Sequence, residues 1–292
     1  MHGIGEATAA ITVVNALSTG IGCAIGIELT ARATATITPE TAGGPNVAIE
    51  PPRSRTPLVQ AALTSAVERF LPGSDVRILL ELTSEIPVAI GLKSSSAVSS
   101  AVLLAVASAT GSPPDSIEIA RISARVARQA GVSATGAFDD ALAGLRGGVV
   151  VTNNYTDELI RAAPLEPDLE VALWIPPGTH PPSPGVRGRF APDEPLAAQA
   201  AEAALRGEWW TAMELNSELV ERAMGYPYAP LREAMASAGA RASGASGLGP
   251  AFAAVVPRER MEAVLAQLPR TGGERRKLQL SSRVPQGGGK VR

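Results

Sequence analysis

Val59, Leu63, Val67 and Phe70 recur at helical spacing, and Pro72-Gly73 ends the helix they predict. Directly after it, Val76 to Thr83 (VRILLELT) reads as a strand. The same two patterns can be followed along the whole chain. Upstream, Ile4 to Leu29 mixes small apolar residues with Thr and Gly, and predicts strands joined by a turn at Thr19-Gly20-Ile21-Gly22. Pro39 to Pro57 carries five prolines and Gly43-Gly44, and predicts loop. Downstream, an apolar helix follows the serines at 94–96 and runs to about Thr110, where Gly111 and Pro113-Pro114 stop it. Ile119, Ile122 and Val126 mark another helix, and Gly147 to Thr152 and Leu169 to Ile175 mark two more strands. Pro176 to Pro195 holds seven prolines in twenty residues and predicts a long irregular loop. Helices are expected at about 195–206, 208–224 and 229–239. Ala251 to Val256 then reads as a strand, and Met261, Val264, Leu265 and Leu268 as a last amphipathic helix. The chain has no internal repeat.

Composition narrows the picture. The 292 residues are 45% hydrophobic and 18% charged, which marks a globular chain. Aromatics are only 3%, so Ala, Val, Leu and Ile must fill the core. A net charge of −2 gives no general pull toward nucleic acid or membrane, and no acid excess of the extreme-halophile kind. A single cysteine, Cys23, rules out an intrachain disulfide, fits a reducing cytoplasmic setting, and reads as a small core residue. No Lys or Arg precedes Arg32, so the positive start of a signal peptide is missing. The most apolar run, Ala97 to Ala109, is too short and too Ser-rich to span a bilayer. The two histidines, His2 and His180, lie far apart, which leaves zinc sites and a Ser/His/Asp triad without parts. After Gly273 the chain turns basic, with Arg275, Arg276, Lys277, Arg283, Lys290 and Arg292 against Glu274. That tail predicts a solvated, partly frayed end, with Lys277 to Ser281 as a final edge strand.

Three segments carry candidate chemistry. Residues 87–96 (PVAIGLKSSS) combine a glycine turn, a cation and three hydroxyls with a helix start. Helix-start N–H groups lack intrahelical partners and the helix dipole favours negative charge there, so the segment suits phosphate. It is not a Walker A loop, and Ser is also a favoured cap, so alone it equally describes a capped helix with nothing bound. Lys93 stands out as the only lysine before Lys277. The second segment is Ala242 to Pro250 (ASGASGLGP), whose Gly244, Gly247 and Gly249 would let backbone approach a ligand, or simply make a turn. The third is Thr135 to Asp140 (TGAFDD), where Asp139 and Asp140 could align a hydroxyl and influence a metal, or cap a short helix at 139–145.

Together, in order and spacing, these three segments resemble the GHMP kinases. Within that family the chain looks most like the archaeal-type shikimate kinases, through Thr12 to Ala16 with the Gly20–Gly26 glycines, Glu85-Ile86-Pro87, Thr135 to Asp140 with Gly147-Gly148 and Thr152-Asn153-Asn154, and Ser243 to Pro250. The likeness runs from about residue 4 to 268. It implies an α+β fold of two domains, an S5-domain-2-like half over 1–155 and a ferredoxin-like half with the basic tail over 156–292. It implies transfer of the ATP γ-phosphoryl to the 3-hydroxyl of shikimate with Mg²⁺, a step toward chorismate and the aromatic amino acids. A kinase for another small alcohol, such as homoserine or mevalonate, and a non-catalytic metabolite sensor are the alternatives.

The resemblance also implies roles residue by residue. ATP would lie along Pro87, Gly91, Leu92, Lys93, Ser94, Ser95, Ser96 and Ala97, with Ser95 on the metal. Asp139 would orient or deprotonate the acceptor hydroxyl, with Asp140 beside it. Asn15, Thr135, Gly136, Asn153, Ser243, Gly244, Ser246 and Gly247 would meet the substrate, and Arg187 or Arg189 its carboxylate. The partners are then ATP and a small molecule, with neither nucleic acid nor membrane, in a monomer or homodimer. Two departures stand out. The metal-binding Glu that many relatives carry upstream of the Asp is replaced by Arg125 to Gln129, the nearest upstream acid being Glu118, which leaves Asp139 or Asp140 as the carboxylate. The Lys or Arg near the N-terminal motif of mevalonate kinases is also missing.

Overall fold

A computed structural model describes residues 1–40, 46–111, 115–178 and 185–281. Gly43-Gly44, Pro113-Pro114, His180 and the tail residues Arg283, Lys290 and Arg292 lie outside the described residues.

The chain opens with two long antiparallel strands, β1 (His2–Val14) and β2 (Ile21–Pro39). A strand β3 (Asn46–Glu50) precedes helix α1 (Pro57–Phe70) and strand β4 (Val76–Ser84). β4 is a strand because it alternates: Val76, Ile78, Leu80 and Leu82 are buried, while Arg77, Leu79 and Glu81 face out. Helices α2 (Ser94–Ala109), α3 (Ser116–Gln129) and α4 (Phe138–Arg146) follow, then strands β5 (Val149–Asn153) and β6 (Glu158–Ala163). One sheet takes the order β3-β4-β2-β5-β6, with β1 on the other edge of β2.

The second sheet is antiparallel, in the order β10-β7-β9-β8. It is built from β7 (Leu169–Ile175), helices α5 (Glu194–Arg206), α6 (Trp209–Met224) and α7 (Ala229–Ala238), strands β8 (Ala242–Ala245) and β9 (Phe252–Pro257), helix α8 (Met261–Gln267) and strand β10 (Glu274–Gln279). Among the described residues no helix is long and apolar enough to cross a membrane.

Four sequence expectations need correction. The proline-rich stretch at 39–57 contains β3, which pairs in parallel with β4. β6 extends the first sheet to Ala163, beyond the predicted boundary at 155, and escapes notice because its residues are mostly exposed. The first half of the Gly-rich segment is not loop but the fully buried strand β8. The edge strand expected at Lys277 to Ser281 is present but starts earlier, at Glu274: β10 pairs with β7, whose Glu170 is buried with Lys277 at 3.0 Å and Arg258 at 3.1 Å. Beyond β10, Leu280 bridges Ile27, and Ser281 exchanges backbone bonds with Gly26 and Gly148, so the end of the second sheet is stitched into the first.

Helix α2 is the piece that positions the site. It lies so close to β1 that a Cβ at Gly3 would come within 2.2 Å of the Ala105 carbonyl oxygen, and one at Gly5 within 2.1 Å of that of Ala101. Only glycine on the strand, and small residues on the helix, allow that approach. Ser99 and Ser100 are fully buried there, and the Ser99 hydroxyl hydrogen-bonds that of Ser123 on α3 at 2.6 Å.

Candidate active site

The start of α2 opens into a cavity of about 300 Å³, bordered by the end of β1, the turn before α4 and the turn after β8. Lys93 precedes α2 in a left-handed conformation (φ 63°) and no side chain caps the helix. The first-turn N–H groups at Ser94 and Ser95 therefore face a cavity without an intrahelical partner, the arrangement that binds phosphate. The loop is locked in place by the second segment. Gly91 (φ +91°) lies so close to the Ser246 carbonyl oxygen that a Cβ would sit 1.9 Å from it. The Ser246 hydroxyl donates to the Gly91 carbonyl at 2.8 Å, and the Gly247 N–H donates to the Thr12 hydroxyl at 2.8 Å. The two glycine-bearing loops are thus in direct contact at the edge of the cavity.

Asp139 and Asp140 occupy the first turn of α4, where the helix dipole favours negative charge. Both are nearly buried, at 4% and 7% exposure. The Lys93 ammonium lies 3.1 Å from Asp140 Oδ1 and forms an ion pair with it. Burial and the neighbouring Asp139 charge push the Asp140 carboxyl up to about 7, with Lys93 pulling the other way. Among the described residues that line the cavity, Lys93 is the only Lys or Arg.

Asp139 is held by its surroundings. Asn154 Nδ2 donates to Asp139 Oδ1 at 2.7 Å, and the Asp139 N–H donates to Asn154 Oδ1 at 3.3 Å. On the opposite side lies Gly22 of β2, whose missing Cβ would stand 2.6 Å from Asp139 Cγ and Oδ2. Cys23 is buried as expected, and burial, with the Asp139 charge adding to it, pushes its thiol well above the usual range. That is the reverse of what a nucleophile needs.

Of the residues expected at the site, Asn15, Gly91, Leu92, Lys93, Ser94, Ser95, Thr135, Asp139, Asp140 and Gly247 line the cavity. The others do not. Pro87 precedes the lining part of the loop, and Ser96 and Ala97 are buried at 2% exposure in the body of α2. Ser243 and Gly244 belong to β8 and pack on α6: the Ser243 N–H donates to Glu214 at 2.8 Å, and a Cβ at Gly244 would meet the Ser217 hydroxyl oxygen at 2.2 Å. Ser246 ties the two loops together, and Gly136 makes the turn before α4 at φ +85°. Asn153 accepts the Tyr155 N–H at 3.0 Å; its neighbour Asn154 lines the cavity instead. Asn154 sits in the turn just past β5, where its N–H donates to the Gly20 carbonyl and its side chain meets Asp139. Arg187 donates to the Tyr155 hydroxyl at 2.8 Å, next to the lining residue Val186. In the segment that replaces the upstream Glu, Arg128 pairs with Asp157 and donates to the Thr135 carbonyl at 3.1 Å, bracing the turn before α4. Glu118 pairs with Arg69 and does not line the cavity.

No cluster of three metal-type side chains exists among the described residues. Ser95, Asp139 and Asp140 share the cavity, however, and both carboxylates are nearly buried. One hydroxyl and one or two carboxylates suit a hard divalent cation that keeps water and phosphate oxygens as its other ligands.

Comparison with known proteins agrees with this geometry. The family profile "GHMP kinases N terminal domain" matches residues 58–148. A shikimate kinase of Halobacterium salinarum is 35% identical over 266 residues, covering 90% of this chain and 92% of that protein. A shikimate kinase of Pyrococcus abyssi is 36% identical over 266 residues, covering 90% of this chain and 95% of its own length. The crystal structure of the Methanococcus jannaschii mevalonate kinase superposes with a TM-score of 0.73 at 14% identity, over 96% of this chain and 99% of that one, and so shares the fold.

Proposed function

We propose that this chain, which belongs to the GHMP kinase family, transfers the γ-phosphoryl group of ATP to the 3-hydroxyl of shikimate. The observation that carries this reading is the alignment of nine-tenths of the chain with proteins named shikimate kinase, at 35–36% identity. The cavity supplies what phosphoryl transfer asks of a protein: positioning, charge neutralisation and a group beside the attacking hydroxyl. First-turn N–H groups of α2 and the Lys93 ammonium would hold phosphate oxygens. Asp139, buried and fixed by Asn154, orients the acceptor hydroxyl and takes up its proton as the new P–O bond forms and the bond to the ADP oxygen breaks. Mg²⁺, when bound, would neutralise phosphate charge; the Ser95 hydroxyl and the Asp140 carboxylate, which share the cavity, are the groups that would hold it. Asn15 and Thr135 offer hydrogen bonds to the substrate hydroxyls, and Arg187 is the nearest arginine in sequence to a lining residue, suited to its carboxylate. A single, buried cysteine fits work in a reducing cytoplasm.

The test is to incubate the protein with ATP and Mg²⁺ and, separately, shikimate, homoserine, mevalonate and galactose, following ADP release. Turnover with shikimate and phosphorylation at its 3-oxygen are expected. Turnover that does not depend on shikimate, or none with any alcohol, overturns the assignment.

A further inference from the structure

We infer that Asn154 is a positioning residue for the transfer, acting by fixing the Asp139 carboxylate toward the acceptor hydroxyl. This rests on the reading of Asp139 given above. The Asn154 amide and Asp139 close a two-bond ring: Nδ2 donates to the carboxylate at 2.7 Å, and Oδ1 accepts the backbone N–H of the same residue at 3.3 Å. A third bond fixes the amide itself, since the Thr152 hydroxyl donates to Asn154 Oδ1 at 2.6 Å. The orientation of the amide is chemically forced. Its oxygen meets a backbone N–H, which can only donate, so the flipped amide would set donor against donor.

Thr152, Asn154 and Asp139 are 0%, 2% and 4% exposed, and a hydrogen bond to a carboxylate is strengthened when water is kept away. The backbone beneath is fixed as well: the Asn154 N–H donates to the Gly20 carbonyl at 2.8 Å, and Thr152 pairs with Gly22 across β5 and β2. Gly22 is also the residue that leaves room for the carboxylate. One sheet register therefore delivers the open space, the hydroxyl and the amide to the same acid. An asparagine that merely capped α4 would need only its oxygen; here the nitrogen is spent on the carboxylate.

Steady-state kinetics of Asn154→Ala, with nucleotide binding measured separately by titration, separates positioning from structure. We expect kcat to fall by roughly 10²-fold, the scale of a misplaced catalytic group, with KM for either substrate and the nucleotide Kd moving less than about 3-fold. The pair Thr152→Val and Thr152→Ser gives a second reading should the alanine variant fail to fold: the valine lowers kcat and the serine restores it. Unaltered kcat in Asn154→Ala, a loss confined to KM or to nucleotide binding, or Thr152→Ser as impaired as Thr152→Val overturns the inference. Wild-type protein inert toward every alcohol overturns the kinase reading beneath it, whereas an active wild type with an unimpaired Asn154→Ala overturns only the role of Asn154.

Discussion

Adding one methyl group at Gly22 should disable Asp139 while leaving the fold intact. A Cβ there would stand 2.6 Å from both Cγ and Oδ2 of Asp139 and 3.0 Å from its Cβ. Carbon–carbon contact is comfortable only from about 3.5 Å, so the carboxylate must retreat by roughly 1 Å. It cannot do so freely, because Asn154 holds its other oxygen at 2.7 Å. The helix behind it is equally confined: a Cβ at Gly144 of α4 would meet the Thr8 carbonyl oxygen of β1 at 2.3 Å. The backbone at Gly22 is not left-handed, so alanine brings no strain of its own, and within a strand it would otherwise be favoured by about 0.5–1 kcal/mol. Gly22→Ala is therefore expected to fold, at an overpacking cost of about 1–3 kcal/mol, and to lose about 10²-fold in kcat, read by coupled ADP release. The double variant with Asp139→Asn sharpens the test: once the carboxylate is gone, Gly22→Ala should cost little further activity. A Gly22→Ala enzyme with kcat within twofold of wild type would refute this placement of Asp139, and so would fully additive losses.

Asp139→Asn should lower kcat by roughly 10²–10⁴-fold, the range for a group that moves a proton in the transition state; near-normal turnover would pass that role to Asp140 or to no side chain. Lys93→Met removes the only cation among the described lining residues and should raise KM for ATP by about 10-fold or more, while an unchanged KM would take Lys93 off the phosphates. The Asp140 carboxyl, raised to about 7, makes the native state bind more protons than the unfolded chain between about pH 4 and pH 7. The nucleotide-free protein should thus lose stability as pH rises through that window, and Asp140→Asn should flatten the slope; equal slopes in denaturant titrations would contradict the raised value. Glu170→Ala strips the shared partner from Lys277, Arg258 and Gln279 and should lower the melting temperature by several degrees, with little change in KM for either substrate.

The helices were legible because each carries an apolar stripe at helical period: α1, α3, α5, α6 and α8 fall within a few residues of their predicted spans. The strands that escaped had no such stripe to show. β3 is five residues set among prolines, β6 is an edge strand with most residues exposed, and β8 is Ala-Ser-Gly-Ala, too small in side chain to display any alternation. β10 was legible only from Lys277 on, because its first residues, Glu274 to Arg276, are charged and carry no apolar alternation. Glu170 on β7 is pushed up by burial, but hydrogen bonds from Gln279, Lys277 and Arg258 outweigh this and hold its carboxyl below the usual range.

The site divides along the same line. Lys93, Ser94, Ser95, Asp139 and Asp140 could be named from the chain because they are contiguous with a helix start, where local chemistry and cavity coincide. The residues that act on Asp139 could not, because they reach it across the sheet. Gly22 is one of several glycines in its stretch, and only the β2–β5 pairing sets it opposite Thr152 and against the carboxylate. Asn153 and Asn154 are chemically identical in the sequence, and only the turn after β5 sets Asn154 against Asp139 while Asn153 accepts the Tyr155 N–H. Thr152, with no exposed surface, must find a partner for its hydroxyl inside, and it finds Asn154 Oδ1 at 2.6 Å. Identity of residue types thus located the two acids and the helix start that share the cavity, while the pairing of β2 with β5, which no single segment carries, supplied what holds Asp139 still.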